Sequence, residues 1–153
     1  MDKKELYLIA LAQEIRSQRL YAALAKSFSQ PANAALFTEL RVLEENHEAK
    51  LRQAFHFPGL EPEPLQLKEP DLSGVDLSDP AQLLQFAIGR EAKAGGHYLA
   101  FAEQTSEPEL KQLLLDLAAE EDKHHSLLLA EKQRILGALE WFDPSELGGF
   151  MDF

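Results

Sequence analysis

A chain of 153 residues with a formal charge of −11 and no cysteine is long enough for one stable core, but it cannot form disulfides, thiolate metal sites or iron–sulfur clusters. Its acidity would repel nucleic-acid phosphates and suits metal cations. Electrons for any redox chemistry must come from another molecule, because a built-in rubredoxin-type carrier needs cysteines.

The start, Met1-Asp2-Lys3-Lys4-Glu5, runs into an amphipathic segment that contains Glu14, Arg16 and Arg19. That reads as neither a signal peptide nor a membrane span, so a cytoplasmic protein without membrane attachment is expected. Residues 3–28 carry a stripe at Leu6, Ala10, Glu14, Ser17, Tyr21, Leu24 and Phe28, the spacing of one helix face. Ser29-Gln30-Pro31 should end this helix and begin the next, since proline fits a first turn. The second stripe is Phe37, Leu40, Glu44, His47 and Leu51, and Phe55 extends it by one turn.

Residues 57–79 contain Pro58, Pro62, Pro64, Pro70 and Gly74, which a regular helix would not tolerate. Such a long connection fits a crossover running the length of a bundle, as in ferritin-like folds. Asp79-Pro80 reads as a cap and first-turn pair, followed by a third stripe of Leu83, Ala87, Glu91, Ala94, Tyr98 and Ala102. Ser106-Glu107-Pro108-Glu109 has the form of a capping box. The fourth stripe, Leu110, Leu114, Leu117, Glu121, His124, Leu128 and Ile135, fades near Gly137. The chain is therefore expected to be all-α, a bundle over 1–138 (repeat 1 about 3–56, crossover 57–79, repeat 2 about 80–138) with a tail over 139–153. Four aromatic rings in that tail, Trp141, Phe142, Phe150 and Phe153, favour docking on the bundle or on a neighbouring subunit.

The two halves are copies. Residues 4–51 lie over 81–128 without a gap, with 13 identities in 48 positions, against roughly 3 expected by chance. Those identities include Glu14 with Glu91, Tyr21 with Tyr98, Glu44 with Glu121 and His47 with His124. Residues i and i+3 share a helix face, so each Glu-x-x-His can offer one oxygen and one nitrogen to a single ion. Glu14 and Glu91 interrupt apolar stripes, where an unpaired carboxylate would either protonate or destabilise the fold. Two divalent ions held among the four glutamates would offset four negative charges.

Blander readings exist for each residue. Glu44, His47, Glu121 and His124 could be solvent-facing charges, although their phase with Leu40, Leu51, Leu117 and Leu128 argues otherwise. Glu14 and Glu91 could be buried acids satisfied by arginine or tyrosine. Tyr21 and Tyr98 could be core aromatics with satisfied hydroxyls. His56, at a helix end, reads as structural. His125 points about 100° and His97 about 120° from the ligand face, so neither joins the site. Glu45, Glu48, Glu120 and Asp122 read as solvated charges that could guide cations inward.

Four elements in register, Glu14-x6-Tyr21, Phe37-x6-Glu44-x-x-His47, Glu91-x6-Tyr98 and Leu114-x6-Glu121-x-x-His124, resemble the rubrerythrin-like branch of the ferritin-like di-iron carboxylate superfamily. The resemblance implies a ferritin-like four-helix bundle holding two iron ions, with manganese or a mixed pair as variants. It casts Glu44 and Glu121 as bridging ligands, Glu14 and Glu91 as terminal ones, and His47 and His124 as one nitrogen ligand per metal. Tyr21 and Tyr98 become hydrogen-bond donors that orient ligands.

By the same resemblance the activity is reduction of hydrogen peroxide or dioxygen in oxidative-stress defence. An external donor such as a rubredoxin-like protein would supply electrons, and the chain would assemble as a homodimer or larger homo-oligomer. Two departures stand out: rubrerythrins usually place an extra glutamate where this chain has Ala94, and the rubredoxin-like module is missing. The centre thus looks symmetric, closer to a bacterioferritin type. Ferroxidase chemistry with Fe(II) as substrate is the alternative. A third is a bundle that uses metal, or none, only to hold its shape for a partner recruited by the tail.

Overall fold

In the computed structural model, residues 1–28, 31–69, 74–76 and 78–140 are described, and for 31–33, 80 and 135–140 the description covers the backbone alone. The loop residues 29 and 30, Pro70, the side chain of Ile135 and the tail from 141 onward lie outside it, so the expected docking of the tail does too. Four helices follow in chain order: α1 (Lys3–Ser27), α2 (Pro31–Phe55), α3 (Pro80–Gln104) and α4 (Pro108–Glu140). No strand occurs among the described residues. α1 packs along α2 and α3 along α4, and the two hairpins join mainly through α1 and α3.

The ends of the helices follow from local chemistry. Asp2 accepts from Glu5 N, while the Glu5 side chain accepts from Asp2 N; this reciprocal pair satisfies two amide donors that α1 leaves open. Asp79 accepts from Ala81 N at 3.0 Å, with Pro80 in the first turn of α3 as its fixed φ favours. The capping box expected at Ser106 does not form the start of α4. That helix begins at Pro108, which leaves Glu107 in the cap position, and Lys111 N reaches Glu107 O at 2.9 Å. Proline needs no amide partner, so placing it first replaces a side-chain cap. α2 ends in His56 at φ 61°, a left-handed residue in the place glycine usually takes.

Every described residue of the four sequence stripes is buried. They divide into two apolar clusters, each drawing on all four helices. One gathers Leu6, Leu11, Leu51, Phe55, Tyr98 and Leu114, and the other Leu20, Tyr21, Leu24, Phe37, Leu40, Leu83 and Leu128. At about 1.5–3 kcal/mol per fully buried large side chain, these clusters supply the driving force for folding, and they bracket the polar layer between them. Among its described residues the crossover forms no regular helix and runs through turns such as Leu60 N to Phe57 O and Leu67 N to Pro64 O. Arginines from the helices tie it down: Arg16 donates to Gln66 O at 2.5 Å, Arg52 pairs with Glu61 at 2.8 Å, and Arg90 pairs with Glu69. Phe57 packs against Tyr7 with the rings tilted, 5.5 Å between their centres.

Candidate metal centre

Each glutamate and histidine of the polar layer sits mid-helix on a face that is otherwise apolar, so folding the stripes together brings all six into the bundle core. Glu14, Glu44, His47, Glu91, Glu121 and His124 are each at most 3% exposed. They form two overlapping groups, Glu14/Glu44/His47/Glu121 and Glu44/Glu91/Glu121/His124, within each of which one ligand atom per residue lies within 4.8 Å of the others. Glu44 and Glu121 belong to both groups. The imidazole rings of His47 and His124 lie parallel, 5.6 Å apart. His47 Nδ1 lies 2.9 Å from Glu121 Oε1, and His124 Nδ1 lies 2.7 Å from Glu44 Oε1, so each histidine faces a carboxylate of the opposite hairpin.

The tyrosines cross between hairpins as well. Tyr21 donates its hydroxyl to Glu91, and Tyr98 donates to Glu14. Each fixes one oxygen of a carboxylate and leaves the other to the cluster. Burial, and then the charges of Glu91 and Glu14 respectively, push both phenols well above their ordinary range, so they remain donors.

The remaining atoms test whether this layer suits cations. Glu14 Oε2, both oxygens of Glu44, Glu91 Oε2, Glu121 Oε2 and His124 Nδ1 are buried and engaged in no hydrogen bond among the described residues. Buried polar atoms are normally satisfied, and an orphaned one costs about 1–3 kcal/mol, more if charged. Six such atoms in one layer call for either protons or cations between them. Without metal, Glu44 and Glu91 are the acids inclined to keep protons. Burial, followed by the neighbouring Glu14 charge, raises Glu44 well above the usual carboxylate range, and burial with contact to Glu121 does the same for Glu91. Burial opposes ionisation of Glu14 as well, but contacts with Glu44 and His47 outweigh it and hold Glu14 low. A pair of divalent cations offers the other solution. Oxygen-rich ligation with one imidazole per ion suits iron or manganese better than thiophilic metals.

Sequence symmetry hides a difference between the halves. The outer nitrogen of His47, Nε2, bonds to Glu120, a residue expected to be merely solvated. The equivalent position in the first hairpin is Leu43, so His124 has no acid there. Although burial alone would lower it, contact with Glu121 and Glu14 raises His47 to about 11, whereas burial lowers His124. The centre is therefore not symmetric as its ligand spacing implies. The signal for Glu120 was present in the repeat, where an acid stands against a leucine at aligned positions beside conserved spacing. Glu48 is also more than a solvated charge, accepting from Gln18 and Arg52 at 2.8 Å each. His97 and His125 lie outside both groups.

Between α3 and α4 a groove of 530 Å³ reaches the layer, with Glu91 in its wall beside Gly95, Gly96 and Ala118, and with Asp122 and His125 also along it. A Cβ on Gly95 would stand 3.7 Å from Ala118 O and 3.9 Å from Glu121 Cβ. The absence of a side chain there thins the cover over the cluster.

A bundle of two helical hairpins around four buried glutamates and two histidines defines a ferritin-like carboxylate protein. Residues 82–147 match the family model described as Rubrerythrin. A hypothetical protein from Pyrococcus furiosus shares the structure with a TM-score of 0.73 and 29% identity, over 90% of this chain and 92% of that one. An uncharacterized conserved protein from Magnetospirillum magnetotacticum superposes with a TM-score of 0.71 over 88% of this chain and 95% of its own, and at 23% identity that likeness concerns the fold. No curated protein matches.

Proposed function

We propose that the chain is a di-iron oxidoreductase that reduces hydrogen peroxide or dioxygen. The observation that carries this reading is the pair of four-residue groups sharing Glu44 and Glu121, each with its own histidine. Glu44 and Glu121 would bridge two ions, Glu14 with His47 would complete one, and Glu91 with His124 the other. When bound, such a pair supplies two electrons and electrophilic contact to a small oxidant. The protein's own residues do the rest. Tyr21 and Tyr98 hold Glu91 and Glu14 in place, Glu120 holds the His47 ring through its outer nitrogen, and the α3–α4 groove admits a molecule the size of peroxide. Electrons come from an external donor, since the chain carries no cysteine-based carrier.

Ala94 and Ser17, both buried, stand where an additional carboxylate ligand could be, and this favours a second reading as a ferroxidase in which Fe(II) is itself the substrate. Stopped-flow mixing of the reduced, iron-loaded protein with each oxidant separates the two. Faster oxidation by hydrogen peroxide than by dioxygen, with iron retained over repeated cycles, is the expected result. Faster reaction with dioxygen, followed by release of ferric product, would assign the chain to iron handling, and inertness toward both oxidants would leave a structural centre only.

Glu120→Gln should weaken metal at the His47 half by about 10–100-fold, the usual effect of removing an acid behind a histidine ligand. The His47 ring keeps its place but loses the charge that makes it a better donor. Competitive chelation should then show one tightly and one loosely held ion. Two equal affinities in the variant would mean that Glu120 does not tune the site.

A further inference from the structure

On the α1–α3 side of the bundle, away from the α3–α4 groove, lies a second pocket of 180 Å³, with Gln13, Arg16, Gly89, Arg90, Lys93 and His97 among its lining residues. Its charge runs against that of the molecule: three permanent cations gather in a chain of net charge −11. The repeat builds this arrangement, because Arg16 and Lys93 occupy equivalent positions, as do Gln13 and Arg90. Arg90 pairs with Glu69, whose charge also acts on Arg16, but Glu69 does not line the pocket, and neither Arg16 nor Lys93 forms a salt bridge among the described residues.

Two donors in the lining have no acceptor. Gln13 is 3% exposed; its Oε1 lies 2.7 Å from His97 Nδ1 and its backbone oxygen accepts from Arg90 at 3.2 Å, but its Nε2 makes no hydrogen bond among the described residues. Arg16 donates through Nη1 to Gln66 O, and its buried Nε is likewise unpaired. A buried amide without an acceptor is uncommon enough to require an explanation. His97 reports the same imbalance: burial first, then the charges of Arg16, Lys93 and Arg90, lower its affinity for a proton. No carboxylate lines the pocket, so the lining itself offers these donors no negatively charged acceptor. A volume of 180 Å³ corresponds to about six waters, too roomy for one monatomic ion to touch both helices and enough for a small anion with several oxygens.

We infer that the α1–α3 pocket is a binding site for a small oxyanion bearing phosphate or carboxylate oxygens, held by Arg16, Arg90 and Lys93 and by the free amide hydrogens of Gln13. Guanidinium and amide groups donate several directed hydrogen bonds at once, which matches the spread oxygens of such an anion. The site is separate from the glutamate–histidine layer and does not depend on the reaction assigned there.

The test is isothermal titration of the metal-loaded protein with inorganic phosphate at constant ionic strength, repeated with malonate and with polyglutamate. Saturable binding of one phosphate per chain is expected, with a Kd of ~1 mM or tighter. Malonate competing for the same site extends it to carboxylates, and failure to compete restricts it to phosphate. Lys93→Glu reverses an exposed charge and Gln13→Leu removes the buried amide at similar volume; each should weaken binding by about tenfold or more, with bound metal unchanged. Undiminished binding in either variant overturns the inference, since phosphate would then be sitting on the metal ions or on unspecific surface charge. Binding of polyglutamate without saturable phosphate binding overturns it in favour of an acidic protein partner.

Discussion

Glu44→Ala and Glu121→Ala should each remove most of the bound transition metal, whereas Tyr21→Phe and Tyr98→Phe should retain it with affinity reduced by about 10–100-fold. The difference follows from position. Glu44 and Glu121 are the residues common to both four-residue groups, so losing either would take an oxygen from both of the proposed ions. Each tyrosine touches one carboxylate of one group. Wild-type protein should carry about two ions per chain, and elemental analysis of protein reconstituted with ferrous iron under anaerobic conditions measures all five forms. Equal loss from the glutamate and tyrosine variants would show that the layer is held together by its hydrogen bonds alone. Retention of two ions in Glu44→Ala would remove the bridging role.

Much of this architecture could be read from the sequence because the chain states it twice. Stripes at three- and four-residue spacing gave the buried faces, and proline marked the starts of α2, α3 and α4. The buried Glu and His positions were legible for the same reason: a charge in phase with leucines must face the core, whatever it does there. What could not be read depends on contacts between helices. That Tyr21 serves Glu91 and Tyr98 serves Glu14 follows from how the hairpins cross, and nothing within one repeat encodes it. Glu120 lies one position before a ligand, about 100° around the helix, so the rule that assigns one face to the core excluded it. It reaches His47 only because α2 and α4 are neighbours at that level. The α1–α3 pocket was hidden similarly, since Gln13, Arg16, Lys93 and His97 look like unremarkable surface residues until the two hairpins are placed side by side.

Metal should reverse the pH dependence of stability. In the metal-free protein Glu44 and Glu91 have folded-state pKa values raised above 4.5, so between that value and neutrality the folded chain keeps protons that the unfolded chain has lost. Stability therefore falls as pH rises through this window and is regained on acidification. His47 acts in the same direction: raised from 6.5 to about 11, it contributes stability that is fully present below 6.5 and is lost as pH climbs toward 11. His124, lowered below 6.5, opposes the trend on acidification, and Glu14, lowered below 4.5, contributes stability that is lost only at more acid pH. Two carboxylates and one imidazole outweigh a single imidazole, so metal-free protein should melt at higher temperature near pH 5 than near pH 8. Bound cations favour the ionised carboxylates and the neutral imidazoles, so they must displace the protons on Glu44, Glu91 and His47, and metal-loaded protein should instead lose stability as pH falls. Metal loading should accordingly release protons, measurable in weak buffer. The net negative surface adds a general preference for mild acid, and Glu44→Gln with Glu91→Gln provides the control because that double variant keeps the same surface. Thermal melts of metal-free, metal-loaded and double-variant protein between about pH 5 and 8 decide the matter. Parallel slopes in all three, or loading without proton release, would mean that these acids do not share one buried cation site.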